Sequence, residues 1–421
     1  MKRELTFQLL RSVLPDPPWS EDALQSILQD LRALAEHKYN KYEMYQPGRL
    51  FFENLYLWLA AFEEHDRTSA LEFVRQRLIF ISREEFQQLA HVLYHDGIRQ
   101  KHLELASTAS GIPRHRLRLL TESPDFKRAE RASLYVALSD GARVDYFRRQ
   151  TFSISNEQVV AAYYVGAAKT KELTTKLGTA LGLDTALFQS MFLIDDFCGS
   201  GRTLLREVIK IPLDETLPGF VVPNDMRAKL EYTDDPPEIE WNYAGPIQPE
   251  ELGRLQLASH QSAYRHALQR LSDLASKQET SLKGALKRLS EHGIVDSLDP
   301  AAKVFLCPLL VTQYAIDRLE PLFKRLPPPL NRLEFVPGAV LENGARILRG
   351  DSPIADICER YYRPEFGDEH TGNVMFGYDS CGLPLVLHHN TPNNSLYFLW
   401  SRKWTNPLFA RFERHGREGS K

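Results

Sequence analysis

The chain has 421 residues, of which 43% are hydrophobic, and its formal net charge at pH 7 is −3. This size predicts a globular protein with two or three domains, and the near balance of charges does not indicate a partner. No apolar run approaches the length of a membrane span and no signal-peptide core follows Met1, so we expect a cytoplasmic protein. The four cysteines lie far apart, which indicates neither a disulfide framework nor a zinc site.

The first predicted elements are helices. An apolar stripe with helical spacing begins at Ala23 and ends at Leu34, and residues 50–62 are apolar almost all round. We therefore predict an α-helical N-terminal domain over residues 1–131. Its segment 99–131 is mildly basic and contains a pattern typical of a helix-turn-helix, which predicts either contact with nucleic acid or an ordinary helical hairpin with solvated arginines.

A buried strand over residues 134–138 opens a predicted α/β domain, which covers residues 132–421. A short polar loop follows this strand and consists of Ser139, Asp140, Gly141, Ala142 and Arg143. Such a loop can bind an anion through its backbone and through a bidentate arginine, or it can be a polar turn whose arginine pairs with a surface acid. Helical patterns follow over residues 156–168 and 170–181.

The most informative segment covers residues 192–204. An apolar strand runs into Asp195 and Asp196, and a turn follows that consists of Gly199, Ser200, Gly201, Arg202 and Thr203. Glycines let successive N–H groups converge on one anion, and the helical spacing from Leu204 predicts a helix whose positive end adds to that attraction. Carboxylates at the end of a strand can accept hydrogen bonds from a vicinal diol. A ribose 5-phosphate carries both groups.

The spacing in this segment excludes three common motifs. A P-loop would need glycine in place of Asp196 and lysine in place of Arg202. A dinucleotide fingerprint would need glycine in place of Leu204, and a nucleophile elbow would need glycine in place of Cys198. The remaining alternative is a strand that ends in a polar turn and caps the next helix.

Residues from about 212 to 300 are rich in proline and charge, and we predict an inserted helical subdomain there. The core resumes with strands at 303–311 and 333–336, and two further strands are predicted at 374–378 and 383–390. Polar side chains cluster near the last strand, namely His388, His389, Asn390, Asn393 and Asn394. These groups suit the edge of a heterocyclic base or a set of backbone turns equally well. Adjacent histidines on a strand face opposite sides, so we predict no metal site there.

The strand, the Asp-Asp pair and the Ser-Gly-x-Thr turn resemble the phosphoribosyl-diphosphate-binding motif of type I phosphoribosyltransferases. This resemblance implies a parallel sheet with helices on both faces, to which the N-terminal domain and the insertion are added. It implies that Asp195 and Asp196 hold the ribose diol, that residues 199–203 hold the 5′-phosphate, and that residues 139–143 hold the pyrophosphate. Asp195, Asp196 and Arg143 would be catalytic. The implied cofactor is Mg²⁺, held mainly by ligand and water, and the insertion would be either a hood over the acceptor or a protein-interaction module.

The loop at 139–143, the Asp-Asp segment and the block 383–396 followed by Trp400 are together similar to the phosphoribosyltransferase-like effectors of bacterial conflict and anti-phage gene clusters. This similarity covers about residues 131–405 and implies a partner such as an ATPase, a sensor or a reverse-transcriptase system, with the N-terminal domain as a docking surface. The expected function is transfer from phosphoribosyl diphosphate. The alternatives are a non-catalytic sensor of a nucleotide or of phosphoribosyl diphosphate, and cleavage of a glycosidic bond in a nucleotide or nucleic acid.

One departure from the family pattern bears on the mechanism. Gly199 stands where purine-salvage members have an acid that exchanges a proton with the base. Either Asp140, His388 or His389 supplies the base, or the acceptor needs no deprotonation, or the site binds without transfer.

Overall fold

The computed structural model describes residues 3–14, 21–149, 154–162, 166–202, 204–208, 210–212, 220–221, 238–240, 256–257, 279–282, 284–291, 293–324, 326–366 and 373–411. The helices in chain order are α1 (Arg3–Val13), α2 (Glu21–His37), α3 (Phe51–Ala60), α4 (Glu64–Gln76), α5 (Arg83–Val92), α6 (Arg99–Ser110), α7 (Leu117–Glu122), α8 (Pro124–Arg131), α9 (Val144–Arg148), α10 (Ala167–Leu181), α11 (Gly284–Glu291), α12 (Gln313–Phe323), α13 (Pro353–Tyr361) and α14 (Tyr397–Trp400).

The strands are β1 (Ile79–Ile81), β2 (Ser133–Ala137), β3 (Val159–Ala161), β4 (Phe188–Cys198), β5 (Leu205–Val208), β6 (Lys210–Pro212), β7 (Phe220–Val221), β8 (Glu238–Glu240), β9 (Gln256–Leu257), β10 (Glu279–Leu282), β11 (Leu298–Thr312), β12 (Leu333–Phe335), β13 (Ala339–Leu341) and β14 (Leu385–Leu387). The chain divides into two compact units, a first unit of Met1–Gln88 with Leu341–Lys421 and a second unit of Leu89–Val340.

The first unit joins the start and the end of the chain around one hydrophobic core. Strand β1 pairs in parallel with β14. The indole of Trp58 donates a hydrogen bond to Phe398 O over 3.0 Å, and the hydroxyl of Tyr42 donates to Ala410 O over 2.8 Å. Because residues 89–131 lie in the second unit, the division differs from the boundary predicted at residue 131. Amphipathic spacing shows which face of a helix is buried, but it does not show which distant segment covers that face.

The second unit is built on a parallel sheet with the strand order β12, β11, β4, β2, β3, and β13 also pairs with β11. The three strands predicted at 134–138, 191–194 and 303–311 are therefore confirmed as parallel neighbours in one sheet. Both faces are buried, which explains why these strands read as continuous apolar runs rather than as alternating patterns.

Helices cover both faces of this sheet, as the fold class predicted. On one face, leucines of α10, α11 and α12 pack on side chains such as Leu193 and Leu306. On the other face, Phe192 stacks on Phe305 with ring centroids 4.9 Å apart, and the ring of His102 from α6 lies 5.3 Å from Phe192. Successive strand residues point to opposite faces, so the two layers of helices contact different residues of the same strands.

Three predicted elements are wrong. Over residues 156–162 the predicted helix is absent, because a single turn at Asn156–Gln158 leads into the edge strand β3, where β-branched valines favour extended backbone. The helix predicted from Leu204 is also absent, and β5 runs antiparallel to β10 instead. Residues 374–378 form a turn rather than a strand. Most of the insertion predicted at about 212–300 lies outside the described residues.

Candidate functional site

The sheet of the second unit reverses its winding between β2 and β4. From β2 the chain continues to β3 on one side, and from β4 it continues to β11 and β12 on the other. In doubly wound sheets, ligands bind outside the carboxyl ends of the strands at such a point. The loop 139–143 follows β2, and the pair Asp195 and Asp196 lies near the carboxyl end of β4. The fold thus places the two predicted loops at the edge where a ligand is expected.

A direct hydrogen bond connects the two loops. Ser139 Oγ donates to Asp195 Oδ1 over 2.6 Å, and the backbone N–H of Asp196 donates to the same oxygen over 3.1 Å. Asp196 Oδ1 accepts a hydrogen bond from the backbone N–H of Phe197 over 2.8 Å. These bonds hold both carboxyl groups in fixed orientations at the sheet edge.

Burial and mutual repulsion disfavour ionisation of both carboxyl groups at once. Both side chains are half-buried. Burial and the neighbouring charge of Asp196 raise the pKa of Asp195 to about 8, although the hydrogen bond from Ser139 acts in the opposite direction. The raised pKa favours a pair of carboxyl groups that shares a proton, and a protonated Asp195 can donate a hydrogen bond as well as accept one. Strongly perturbed carboxyl groups in a cleft are typical of functional sites.

The loop after β2 contains a strained residue. Asp140–Ala142 form a short 3-10 turn, and Arg143 follows with φ 47° and ψ 42°, in the left-handed region that residues other than glycine rarely adopt. The Arg143 guanidinium lies 6.0 Å from the ring centroid of Tyr146, which is buried in α9. The structure therefore places Arg143 at the junction of the loop and α9, and its predicted contact with pyrophosphate stays a prediction.

The turn after β4 is held by α12, a support that the sequence did not indicate. Thr312 Oγ1 donates to Gly199 O over 2.5 Å, and Arg318 Nη1 donates to Ser200 O over 2.8 Å. Gly201 has φ 73°, and a Cβ atom at this position would collide with the side chain of Leu319. Since β5 replaces the predicted helix, the positive end of such a helix cannot contribute to this turn. Arg202 is half-buried, and Thr203 lies outside the described residues.

The two candidate histidines lie in a turn rather than on a strand, and the prediction that they face opposite sides is wrong. Their ring centroids are 4.8 Å apart, and both rings contact Phe86. His388 Nε2 lies 3.7 Å from Glu43 Oε1. Both histidines are buried and belong to the first unit, whereas Asp195 belongs to the second.

The three candidate asparagines take part in backbone turns of the first unit. Asn390 Oδ1 accepts from the N–H of Thr391 over 3.0 Å, and Asn393 O accepts from the N–H of Tyr378 over 2.7 Å. Asn394 Nδ2 donates to Tyr378 O over 3.1 Å. These contacts favour the structural interpretation of the cluster over recognition of a base.

The basic segment 99–131 forms α6, a turn at Gly111, α7 and α8. Many of its charges are compensated by ion pairs, which are Lys101 with Glu104 and Glu334, Arg114 with Glu104, Arg118 with Glu122, and Arg131 with Glu157. Leu117 and Leu119 are 53% and 55% exposed within an exposed stretch of the chain. Paired charges beside exposed leucines suit a protein surface better than a phosphate backbone.

Metal-ligand clusters and membrane-spanning helices are both absent from the described residues. No group of three or more histidine, cysteine or acidic side chains there could hold a metal ion. Among the described helices, none combines the length and the apolar composition needed to cross a membrane.

Comparisons with known proteins give one match. The family model PRTase-CE matches residues 265–411, a range that contains β11 and α12 but not Asp195 or Asp196. No curated protein matches the chain, and no solved structure does. Over residues 265–411 the chain is therefore similar to this phosphoribosyltransferase-like family.

Proposed function

We propose that the chain transfers a phosphoribosyl group from phosphoribosyl diphosphate with the help of Mg²⁺. The observation that carries this proposal is the hydrogen bond between Ser139 and Asp195. It joins the loop expected to bind pyrophosphate to the carboxylate expected to bind the ribose diol, at the point where a doubly wound sheet binds its ligand. One ligand with a diol between two phosphate groups fits this arrangement.

Each residue has a defined task in the proposed reaction. Asp195 and Asp196 exchange hydrogen bonds with the 2′- and 3′-hydroxyls, and their single shared negative charge stabilises positive charge that develops on the sugar. The loop 139–143 and Arg143 stabilise the departing pyrophosphate. The turn 199–203 holds the 5′-phosphate. These contacts orient C1 of the sugar toward the acceptor.

The residues present are compatible with Mg²⁺. The carboxylates offer only oxygen donors, and Mg²⁺ prefers oxygen, retains several waters and binds substrate phosphates. We expect ligand phosphates and water to hold most of the ion, with Asp195 and Asp196 in reach of its waters. When bound, the ion would neutralise charge on the leaving pyrophosphate.

The first experiment is calorimetry with phosphoribosyl diphosphate and Mg²⁺. We compare the unmodified protein with the double variant Asp195→Asn/Asp196→Asn and with Asp184→Asn, an exposed acid on a loop. The double variant should lose binding and the control should retain it. Absence of binding to the unmodified protein at millimolar ligand would refute the proposal.

A non-catalytic sensor is the second candidate, because Gly199 stands where an acid would exchange a proton with a purine. Release of pyrophosphate over a panel of nucleobases, nucleotides and nucleic acids separates the candidates. Tight binding without any release favours the sensor, and release of a free base from a nucleotide or nucleic acid instead identifies cleavage of a glycosidic bond.

The biological setting is also a proposal. The similarity to effectors of anti-phage clusters supports a role in defence with a protein partner. The exposed stretch with Leu117 and Leu119 supplies a docking surface for that partner. If the role is correct, the Asp195→Asn/Asp196→Asn variant should fail to protect cells from phage although it accumulates normally.

A further inference from the structure

No helix follows the turn after β4 to support it. In the sequence interpretation, a helix starting at Leu204 would fix the turn and direct its N–H groups. In the structure a strand, β5, follows. The contacts that fix the turn come from α12, which begins after the neighbouring strand β11.

The hydroxyl of Thr312 connects the start of α12 to the turn, because it accepts one hydrogen bond and donates another. The oxygen accepts a hydrogen bond from the N–H of Ala315 over 3.0 Å and so caps the helix. The same hydroxyl donates to Gly199 O over 2.5 Å. Six residues further along the chain, Arg318 donates to Ser200 O over 2.8 Å. Two consecutive carbonyl groups of the turn are therefore directed at α12.

The hydrogen bonds to the carbonyls of Gly199 and Ser200 also determine where the next two N–H groups point. In a trans peptide, the N–H points away from the carbonyl of the same peptide plane. Because Gly199 O faces Thr312, the N–H of Ser200 points away from α12. Because Ser200 O faces Arg318, the N–H of Gly201 also points away from it. Two successive N–H groups on one side of a turn form a concave anion site.

We propose that Thr312 and Arg318 are positioning residues of the phosphate-binding turn. They hold the carbonyls of Gly199 and Ser200 so that the next two N–H groups converge on the phosphate of the ligand. This inference rests on the proposed function and adds two residues to it. Arg318 also contributes positive charge, and its bond to a carbonyl polarises the peptide whose N–H meets the anion.

A purely structural role for the two residues predicts a different result. A residue that only stabilises the fold affects all ligands of the site alike, or affects none in variants that still fold. Replacing a positioning residue of this turn weakens the binding of sugar phosphates. It leaves the binding of pyrophosphate unchanged, because the loop 139–143 is expected to bind pyrophosphate. The two ligand classes therefore separate the two roles.

The test measures binding of ribose 5-phosphate and of pyrophosphate by calorimetry. Thr312→Val removes the hydroxyl with little change in shape, and Arg318→Met removes the donor. Each variant should weaken the binding of ribose 5-phosphate about 10-fold to 100-fold and should change the affinity for pyrophosphate by less than about twofold. Thr312→Ser should stay close to the unmodified protein. Ser123→Ala is the matched control, since Ser123 caps α8 through the N–H of Phe126.

The outcomes are distinct. Equal losses for both ligands, or no loss for ribose 5-phosphate in variants with unchanged circular dichroism, would overturn the positioning role and leave the proposed function intact. If the unmodified protein binds neither ligand, both the proposed function and the inference fail. If Thr312→Val does not fold, Arg318→Met tests the same turn through a different contact.

Discussion

Replacing Asp195 with asparagine should stabilise the folded protein at alkaline pH. Burial and the charge of Asp196 raise the pKa of Asp195 from 3.8 to about 8 on folding. The folded carboxyl binds its proton more tightly than the unfolded one, so ionisation costs stability. That cost is absent below about pH 4, grows as the pH rises through the interval up to about 8, and is fully present above it.

The magnitude follows from the size of the shift. Each pKa unit corresponds to about 1.4 kcal/mol, so a shift of about four units sets a ceiling of several kcal/mol. Asparagine retains an acceptor for the hydrogen bond from Ser139 and carries no charge. Because Asp195 shares its proton with Asp196, the free-energy cost of ionisation that the substitution removes is smaller than this ceiling. We expect Asp195→Asn to raise the free energy of unfolding by about 2–4 kcal/mol at pH 8.5 and by less than about 1 kcal/mol at pH 4.5.

Urea unfolding followed by circular dichroism measures this difference. The unmodified protein, Asp195→Asn and the exposed control Asp184→Asn are compared at three pH values, with the change in stability plotted against pH. A constant difference between Asp195→Asn and the unmodified protein would refute the reasoning. So would destabilisation by Asp195→Asn at pH 8.5.

Three further predictions address the ligand and the partner. The Asp195→Asn/Asp196→Asn variant should bind phosphoribosyl diphosphate more weakly by about 2–4 kcal/mol, through loss of charged hydrogen bonds, and calorimetry checks this. If the protein is a transferase, Arg143→Ala should slow pyrophosphate release about 10²-fold to 10³-fold, and an unchanged rate would remove Arg143 from the mechanism. If the exposed stretch docks a protein partner, Leu117→Asp with Leu119→Asp should abolish that binding without lowering the melting temperature, since both leucines are exposed. Retained binding would place the partner elsewhere, and loss of nucleic-acid binding instead would identify a different class of partner.

The sequence predicted the sheet and the carboxylate pair because both have strong local signals. A strand segment buried on both faces must be apolar, as at 191–194, and two carboxylates directly after such an apolar run are conspicuous. The segment from Leu204 lacked such a signal. A short apolar run with helical spacing also fits a strand, and the partner of β5 is the distant β10.

The support from Thr312 and Arg318 could not be predicted for a similar reason. Thr312 caps α12, but its second bond depends on the adjacency of β4 and β11, which only the folded sheet establishes. For His388 and His389, the sequence predicted a separation that the structure does not have. Alternation along a strand would separate their rings, whereas the turn that ends β14 brings them together.

Two costly features lie at one edge of an otherwise well-packed sheet. Asp195 is held in surroundings that disfavour its charge, and Arg143 is held in a left-handed conformation. Neither feature improves the fold, and each persists because β2, β4 and α9 fix it through buried side chains. Such costs typically remain in proteins where a ligand requires them. Both the transferase and the sensor need a ligand with a ribose and a phosphate group at this edge, so binding should be measured first, and turnover then decides between them.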